Sequence, residues 1–264
     1  MRDLGLALAQ TPLHWEAPKQ NRCAFSKLLR ELPPATDLVV LPEMFTTGFS
    51  MHAEAIAEDN AERTLPWLLN QSAKYDLAIT GSIAVREGAR CYNRLFFVTP
   101  DGLYRHYDKR HLFTLSGEQH HYAAGSQRLV VEWRDWRICP TICYDLRFPV
   151  WMRNRAGSQS DGYDLLLVVA NWPAKRRKHW RQLLVARAIE NQACCVGVNR
   201  TGSDGNGLDY TGDSLAIAAD GELLLDCDST EGLHHVTLKS EPLLRYRSKF
   251  QALDDADDFV LTTP

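Results

Sequence analysis

The stretch Leu38-Val39-Val40-Leu41-Pro42-Glu43 decides the fold of this chain, because a short apolar strand runs directly into a carboxylate. Before it, an apolar strand spans Leu4 to Ala9, and apolar residues then recur at helical spacing from Ala24 to Leu32. After it, residues 61–75 have a helical pattern, and Leu77 to Val85 has the pattern of a third strand. The order β-α-β-α-β is typical of α/β folds.

Hairpins replace this alternation in the middle of the chain. The pattern predicts a pair of strands at Arg94–Val98 and Leu103–Tyr107, and a second pair at Leu129–Trp133 and Trp136–Cys143. The connections within both pairs are short and contain turn-forming residues, so the paired strands are expected to be antiparallel. The sheets are therefore expected to mix parallel and antiparallel strands.

The last part of the chain returns to alternation. The pattern predicts a helix after Phe148, a buried strand Leu165–Ala170, a helix Lys178–Gln192, a strand Cys194–Val198 and a last hairpin turning at Asp220-Gly221. Two sheets packed face to face with helices outside accommodate this mixture economically. The predicted α/β fold is a four-layer α-β-β-α sandwich of two mixed six-stranded sheets.

Length and composition favour one domain over residues 1–264. Chains of this size routinely form a single α/β domain with one large core, and this sequence has no internal repeat or Gly/Ser-rich linker. The 30 Lys and Arg residues against 33 Asp and Glu give a net charge of −3, and the only basic block is the short run Lys175–Lys178. This balance does not indicate binding to nucleic acid.

The chain is expected to be cytoplasmic. Its start, Met1-Arg2-Asp3-Leu4, lacks the basic and apolar segments of a secretion signal, and the apolar stretch around Leu165–Ala170 is too short to span a bilayer. No membrane partner is expected. The 7 cysteines are an odd number and include the vicinal pair Cys194-Cys195, which favours reduced thiols over a disulfide framework.

Three polar residues stand where predicted strands end. Glu43, Lys109 and Cys143 each follow a strand by a few residues at most, and side chains at the carboxyl ends of strands converge on the ligand crevice of α/β folds. Taken singly, each has a simpler explanation: a helix-capping carboxylate, a solvated edge lysine and a small buried thiol. The combination favours a site.

The segments around these residues resemble the nitrilase superfamily of carbon-nitrogen hydrolases. Leu41–Phe45 (LPEMF) is similar to the glutamate motif of that family, Tyr107–Phe113 (YDKRHLF) to its lysine motif, and Ile142–Pro149 (ICYDLRFP) to its cysteine elbow. The three motifs occur in the family's order. The resemblance covers nearly the whole chain and continues through Ala170–Pro173, Arg187–Gln192, Asn199-Arg200 and Gly212–Ser214. It implies the same four-layer α-β-β-α fold.

The resemblance implies a cysteine-dependent amidase. A free thiol with a pKa of ~8.5 is only partly ionised at neutral pH, so it needs a base and a cation to attack an amide. By the family's mechanism, Cys143 attacks the amide carbon, and the Lys109 ammonium and the backbone N–H of Tyr144 hold the oxyanion. Glu43 is the base and passes its proton to the leaving ammonia. A water that Glu43 activates then hydrolyses the thioester.

A second glutamate, Glu118, matches a residue that positions substrate and lysine in relatives of the family. The alternative for Glu118 is a surface carboxylate in a charged loop. No cofactor and no catalytic metal are expected, because the pairs His120-His121 and His234-His235 lack the spacing of metal ligands.

The substrate implied by the resemblance is a small ω-amide of a keto acid. The Cys143–Pro149 segment, together with Asn171-Trp172-Pro173 and Ser203–Gly207, is similar to the ω-amidase branch, which hydrolyses 2-oxoglutaramate and 2-oxosuccinamate. Asn171 and Trp172 are accordingly expected to contact substrate.

Arg147 lies four residues beyond the predicted nucleophile and has two interpretations. Its guanidinium could clamp the distal carboxylate of the substrate through two parallel hydrogen bonds. It could equally pair with Asp145 or Glu190 and have only a structural role.

Other functions stay open from the sequence. The same three residues could act on an N-carbamoyl amino acid or on deaminated glutathione. From different classes, Cys143 could work with His179 as a papain-like pair, the thiols could form a redox sensor, or the chain could be a non-catalytic scaffold.

The resemblance also implies a homodimer or higher homo-oligomer, built on outer helices such as Lys178–Gln192 and on the C-terminal segment Tyr246–Phe259.

Overall fold

The chain was analysed as a computed structural model that describes residues 1–155, 162–257 and 259–261. The strands of these residues are β1 (Leu4–Gln10), β2 (Leu38–Val40), β3 (Glu58–Asp59), β4 (Ala78–Glu87), β5 (Arg90–Val98), β6 (Tyr104–Asp108), β7 (Val131–Trp133), β8 (Trp136–Ile142), β9 (Leu165–Ala170), β10 (Cys194–Asn199), β11 (Thr201–Ser203), β12 (Asp209–Thr211), β13 (Leu215–Ile217), β14 (Leu223–Asp226) and β15 (Gly232–Leu238). The α-helices are α1 (Pro18–Leu28), α2 (Ala53–Ile56), α3 (Thr64–Tyr75), α4 (Arg177–Asn191) and α5 (Ser240–Lys249).

Two large mixed sheets form the centre of the fold. The first has the order β15-β1-β2-β4-β5-β6, with β3 paired to β4 outside this path, and the second has the order β14-β13-β10-β9-β8-β7. Strands β1, β2 and β4 are parallel neighbours in the first sheet, as β8, β9 and β10 are in the second. β3 also pairs with β4 in parallel, and the remaining strands of the two sheets pair antiparallel. A separate two-stranded sheet joins β11 to β12. The prediction of mixed sheets is confirmed.

The prediction of six strands in each sheet is wrong for the first sheet, which has seven. The additional strand is β3, which pairs with Val85 and Arg86 near the end of β4. Strand β4 has ten residues, whereas β2 pairs only with Ala78 to Thr80. The far end of β4 therefore has a free edge, where a short segment of the connection after β2 can pair. No local sequence pattern indicates this pairing.

Alternate residues of β1 enter different cores, as expected for a strand between two layers. Leu6 and Leu8 belong to the core between the two sheets. Ala7 instead packs in a second core with Phe25 of α1 and Leu68 of α3. Helices α1 and α3 therefore cover the outer face of the first sheet.

Helix α4 covers the outer face of the second sheet. Its side chains Trp180 and Leu184 are fully buried and lie against Gly197 of β10. A Cβ atom at position 197 would lie 2.5 Å from Leu184 Cδ1 and 2.7 Å from Trp180 Cζ2. Glycine at this position allows the helix to approach the sheet closely. The order of layers is helix, sheet, sheet, helix.

Helix ends differ from the predicted ones. Helix α1 begins at Pro18, six residues before the apolar pattern does, because proline is well suited to a first helical turn. Residues 149–152 form turns and residues 153–155 have no regular structure, so the helix predicted after Phe148 does not form there, and residues 156–161 lie outside the described residues. Helix α5 was not predicted, because Leu243 is its one buried apolar side chain and the segment therefore lacks a helical apolar pattern. Within the described ranges, no helix has the length and apolar character needed to cross a membrane.

Replacement of Gly197 tests the packing of α4 on the second sheet. Gly197→Ala should lower the free energy of unfolding by about 1–3 kcal/mol, because the added methyl group overlaps Leu184 and Trp180. Urea denaturation measures this loss. The double variant Gly197→Ala/Leu184→Ala should lose less free energy of unfolding than the two single variants lose together, because the truncated leucine leaves room for the methyl group. Strict additivity would show that the two side chains do not meet.

Candidate active site

Strand ends from both sheets converge at one place. Glu43 follows β2, and Lys109 comes directly after β6 of the same sheet, whereas Cys143 comes directly after β8 and Asn171 directly after β9 of the second sheet. Glu118 begins a short 3-10 helix, Glu118–His120, in the loop beyond Lys109. The structure thus brings together the three residues predicted for catalysis and the second glutamate.

A buried lysine between two carboxylates is the centre of the site. Lys109 Nζ lies 2.9 Å from Glu43 Oε1 and 3.0 Å from each carboxylate oxygen of Glu118. Lys109 is 1% exposed, and both glutamates are fully buried. Glu118 is therefore no surface carboxylate. The face of the Phe49 ring closes a further side of the ammonium, with its centre 4.8 Å from Nζ.

Neutral donors hold both carboxylates in place. The Asn93 amide donates to Glu43 Oε1 at 2.8 Å, and the backbone N–H of Asn171 donates to Glu43 Oε2 at 2.7 Å. The backbone N–H of Phe113 donates to Glu118 Oε2 at 2.6 Å. Because buried charges are stable only when paired and hydrogen-bonded, these bonds fix the geometry of the cluster.

The charges of the cluster support one another. Burial alone would lower the pKa of Lys109, but the carboxylates of Glu118 and Glu43 outweigh burial and raise it above its ordinary value of 10.5. Burial raises the pKa of Glu118 above its ordinary value of 4.5, and the Lys109 ammonium opposes that rise. Lys109 is consequently an ammonium ion throughout the neutral range.

Cys143 stands on a sharp turn. Its φ angle is 45°, in the left-handed region that residues other than glycine seldom adopt, and it begins the 3-10 helix Cys143–Arg147. Such strain at a candidate site suggests a functional constraint on the direction of the side chain. The thiol Sγ lies 4.0 Å from the backbone oxygen of Asn171. Burial and the charge of Glu43 raise the pKa of the Cys143 thiol, and Lys109 opposes them.

Asp145 connects the lysine segment to the cysteine turn. Its Oδ2 accepts hydrogen bonds from Tyr107 Oη at 2.8 Å and from the backbone N–H of Ile142 at 3.1 Å. Its Oδ1 accepts one from the backbone N–H of His111 at 2.9 Å and lies 2.8 Å from His111 Nδ1. The carboxylate is fully buried. It therefore sets the distance between the segments that carry Lys109 and Cys143.

A narrow pocket opens beside the thiol. Leu208 and Tyr210 contribute to its lining. Leu208 comes from the β11–β12 connection and Tyr210 from β12, and the Asp204 carboxylate accepts hydrogen bonds from the backbone N–H of Leu208 and from the Tyr210 hydroxyl. The segment Ser203–Gly207, which resembles the ω-amidase branch, thus adjoins the pocket. The full lining is Phe49, Lys109, Phe113, Cys143, Tyr144, Arg147, Asn171, Trp172, Pro173, Arg176, Leu208 and Tyr210.

Arg147 lines this pocket and does not pair with Asp145 or Glu190. Asp145 is bonded as described, and the Glu190 carboxylate accepts from Arg187 at 2.9 Å. The Arg147 guanidinium lies over the Trp172 ring, 4.7 Å from its centre. Its Nη2 is 3.2 Å from His179 Nδ1.

The remaining predicted residues have distinct positions. Trp172 and Asn171 both line the pocket, and the side-chain amide of Asn171 also donates to the backbone oxygen of Glu43. His179 is exposed and contacts Arg147, and in the described part of the chain no hydrogen bond links it to Cys143, as a papain-like pair would require. In the same part, no group of three potential ligands is placed to hold a metal ion.

The sequence interpretation missed Asn93, Arg176 and the connecting role of Asp145. Asn93 is a buried amide within the largely apolar strand β5, and a polar residue in such a position is the one local signal available. Arg176 stands within a basic run that reads as a solvated surface. Asp145 was considered only as a partner of Arg147.

Comparison with known proteins identifies the family. A sequence model of the carbon-nitrogen hydrolase family matches residues 5–247. The chain belongs to the carbon-nitrogen hydrolase family. It is therefore an amidohydrolase.

This carbon-nitrogen hydrolase is similar to proteins of known name over its whole length. It is 48% identical over 262 residues to the omega-amidase YafV of Yersinia enterocolitica, and the alignment covers 99% of this chain and 100% of that protein. It is 30% identical to the 2-oxoglutaramate amidase of Bacillus subtilis, covering 95% and 96%. The crystal structure of XC1258 from Xanthomonas campestris, a CN-hydrolase superfamily protein with an arsenic adduct in its active site, superposes with a TM-score of 0.96 at 45% identity over 99% and 100% of the chains.

Removal of the Asp145 carboxylate should damage both stability and activity of this carbon-nitrogen hydrolase. Asp145→Ala leaves the donors on Tyr107, Ile142 and His111 without their acceptor, and each buried unpaired group costs about 1–3 kcal/mol. Denaturant unfolding and amide turnover measure the two effects. Asp226→Asn is the comparison, since its carboxylate pairs with Arg181 at the surface and should cost less than about 1 kcal/mol. Equal losses in the two variants would contradict the connecting role.

Proposed function

We propose that this chain is an ω-amidase that hydrolyses the terminal amide of small ω-amido keto acids, 2-oxoglutaramate and 2-oxosuccinamate, to the dicarboxylate and ammonia. The observation that carries the proposal is the buried Lys109 ammonium held between Glu43 and Glu118 beside a thiol on a strained turn. The similarity to proteins named omega-amidase and 2-oxoglutaramate amidase supports the same substrate class.

The first step is attack on the amide. The raised pKa of Cys143 means that the free enzyme holds a neutral thiol, so a base must remove the proton as the sulfur attacks. Glu43 is that base. The S–C bond forms, the carbonyl π electrons move to oxygen, and the oxyanion is stabilised by the Lys109 ammonium and the Tyr144 N–H. Tyr144 lies in the first turn of a 3-10 helix, where N–H groups have no acceptor within the helix.

The second step expels ammonia, and the third restores the enzyme. Glu43 gives its proton to the amide nitrogen, the C–N bond breaks, and ammonia leaves behind a thioester on Cys143. Glu43 then takes a proton from water, and the hydroxide attacks the thioester carbon. The C–S bond breaks, the sulfur recovers its proton from Glu43, and the product leaves as the carboxylic acid, which gives its proton to the released ammonia and becomes the dicarboxylate. The carboxylate makes these transfers from one position, which Asn93 and Asn171 fix.

The distal end of the substrate meets Arg147. A guanidinium that lines the pocket without a carboxylate partner among the described residues supports recognition of an anionic substrate. Trp172 lies beneath this guanidinium and shapes the same wall. Asn171 acts on the substrate chiefly through its hold on Glu43.

The nearest alternative keeps the same chemistry on an N-carbamoyl amino acid or deaminated glutathione. These compounds also carry carboxylates, so Arg147 does not exclude them. The small size of the pocket favours the smaller keto-acid amides.

The proposal extends to the assembly and location of the enzyme. We expect one domain over residues 1–264 that forms a homodimer, and the exposed apolar residues Ile189, Leu244 and Phe250 on and after the outer helices support such an interface. A cytoplasmic location is supported by the thiols of Cys23, Cys143 and Cys194, which form no disulfide in the described residues.

Ammonia release from 2-oxoglutaramate is the direct test. The purified protein should release ammonia from this amide faster than from glutamine or an N-carbamoyl amino acid. Cys143→Ala should abolish release, and Lys109→Arg should lower turnover by about 10²–10³-fold, because a planar guanidinium cannot take the place of the compact ammonium. Cys23→Ala, which removes an exposed cysteine, is the matched control and should be fully active.

The outcomes separate substrate from mechanism. Preference for the carbamoyl compound would keep the three catalytic residues and replace the substrate. Ammonia release that persists in Cys143→Ala would refute the mechanism.

The thiol titration tests the role of Glu43. Glu43→Gln removes a negative charge that raises the pKa of Cys143 and leaves the Lys109 ammonium that lowers it. The pKa of the thiol should therefore fall in the variant, and the thiolate fraction at a given pH should rise, while amide turnover falls because the base is lost. Thiolate absorbance against pH, with Cys143→Ala subtracted, measures the shift. An unchanged or higher thiol pKa would contradict the assigned charge of Glu43.

A further inference from the structure

Two guanidinium groups line the same pocket. Arg147 comes from the 3-10 helix that begins at Cys143, and Arg176 comes from the turn before α4. The Arg147 guanidinium lies 4.7 Å from the centre of the Trp172 ring, and the Arg176 guanidinium lies 5.3 Å from the centre of the Phe113 ring. Both side chains are half-buried, and their guanidinium groups face aromatic rings that line the pocket.

Neither guanidinium has a carboxylate partner in the part of the chain that the structure describes. The neighbouring arginines differ: Arg177 pairs with Asp213 and Asp228, and Arg181 pairs with Asp213 and Asp226. The surface around the pocket therefore offers carboxylates, yet none is used at Arg147 or Arg176. Burial and then the charge of Arg176 lower the pKa of Arg147, as expected for two cations within electrostatic reach.

The pocket is consequently polarised along its length. At the inner end, the two carboxylates at Lys109 are buried and compensated. At the outer end, two positive charges are uncompensated. A substrate that spans the pocket with its amide at Cys143 places its other end against both guanidinium groups.

We propose that Arg176 is a specificity-determining residue which, together with Arg147, selects 2-keto acid amides over the corresponding 2-amino acid amides. The inference rests on the proposed function. Arg176 and Arg147 attract the carboxylate of either compound, and their N–H groups can donate to a keto oxygen. The α-ammonium of glutamine offers no acceptor and adds a third positive charge beside two others. The arginine pair thus rejects amino acids by repulsion as well as accepting keto acids by attraction.

Arg176→Met tests this role, since methionine keeps an unbranched apolar side chain at this position and removes the charge that faces Phe113. The substrates are 2-oxoglutaramate, glutamine and butyramide, a neutral amide without a carboxylate. For 2-oxoglutaramate, kcat/KM should fall by about 10- to 100-fold. For glutamine, kcat/KM should change little, because the attraction of its carboxylate and the repulsion of its ammonium are lost together. Butyramide should be unaffected. Lys175→Met removes the adjacent exposed charge and should leave all three values unchanged.

Binding gives the same comparison without turnover. On the Cys143→Ala background, calorimetry measures the Kd of intact 2-oxoglutaramate and intact glutamine with and without Arg176→Met. Arg176→Met should lower the ratio of the Kd for glutamine to the Kd for 2-oxoglutaramate by about tenfold or more.

The outcomes distinguish the two levels of the proposal. If the wild-type protein does not hydrolyse 2-oxoglutaramate, the proposed function fails. If it does, and Arg176→Met keeps the wild-type preference for the keto acid over glutamine, the role of Arg176 alone is overturned. An equal loss on all three amides would also overturn it, because that result indicates a structural role for the residue.

Discussion

The Lys109 ammonium in a fully buried position is the constraint on which the site depends. A lone buried ammonium would lose its proton or unfold its surroundings, since the desolvation of a charge costs several kcal/mol. Glu43 and Glu118 compensate it from two directions, and their own oxygens are held by Asn93, Asn171 and Phe113. The lysine keeps its charge because segments distant in sequence meet around it. That permanent charge suits an oxyanion partner, and the same carboxylate that stabilises it can serve as the base.

Strain and charge divide the pocket into two regions. At the inner end, the positive φ of Cys143 points the thiol toward the cluster, and Asp145 fixes the turn against the lysine segment. At the outer end, Arg147 and Arg176 lie on aromatic rings with uncompensated charge. Under the proposed function, the buried end sets the reaction type and the half-buried end sets the choice of substrate, where replacements disturb the core least.

Local pattern predicted the alternating strands and helices, and motif resemblance predicted Glu43, Lys109, Cys143 and Glu118 as neighbours. Both kinds of signal lie within short segments. Strand β3 was missed because its pairing depends on the length of β4, a partner distant in sequence. Arg176 was missed for a similar reason. A charged residue within a basic run is expected to be solvent-exposed, and only the folded chain shows which of the four neighbouring cations lines the pocket.

The proposed base and the proposed nucleophile follow strands of different sheets. Glu43 and Lys109 extend from strands of the first sheet, and Cys143 and Asn171 extend from strands of the second, so the apolar layer between the sheets sets the separation of the reacting groups. A substitution in that layer that slides one sheet over the other moves the thiol relative to Glu43 and disturbs the hydrogen bonds that cross between the sheets, such as those from Asn171 to Glu43. The evolution of the inter-sheet core is therefore restricted by reaction geometry as well as by stability, and its side chains cannot drift independently of the chemistry.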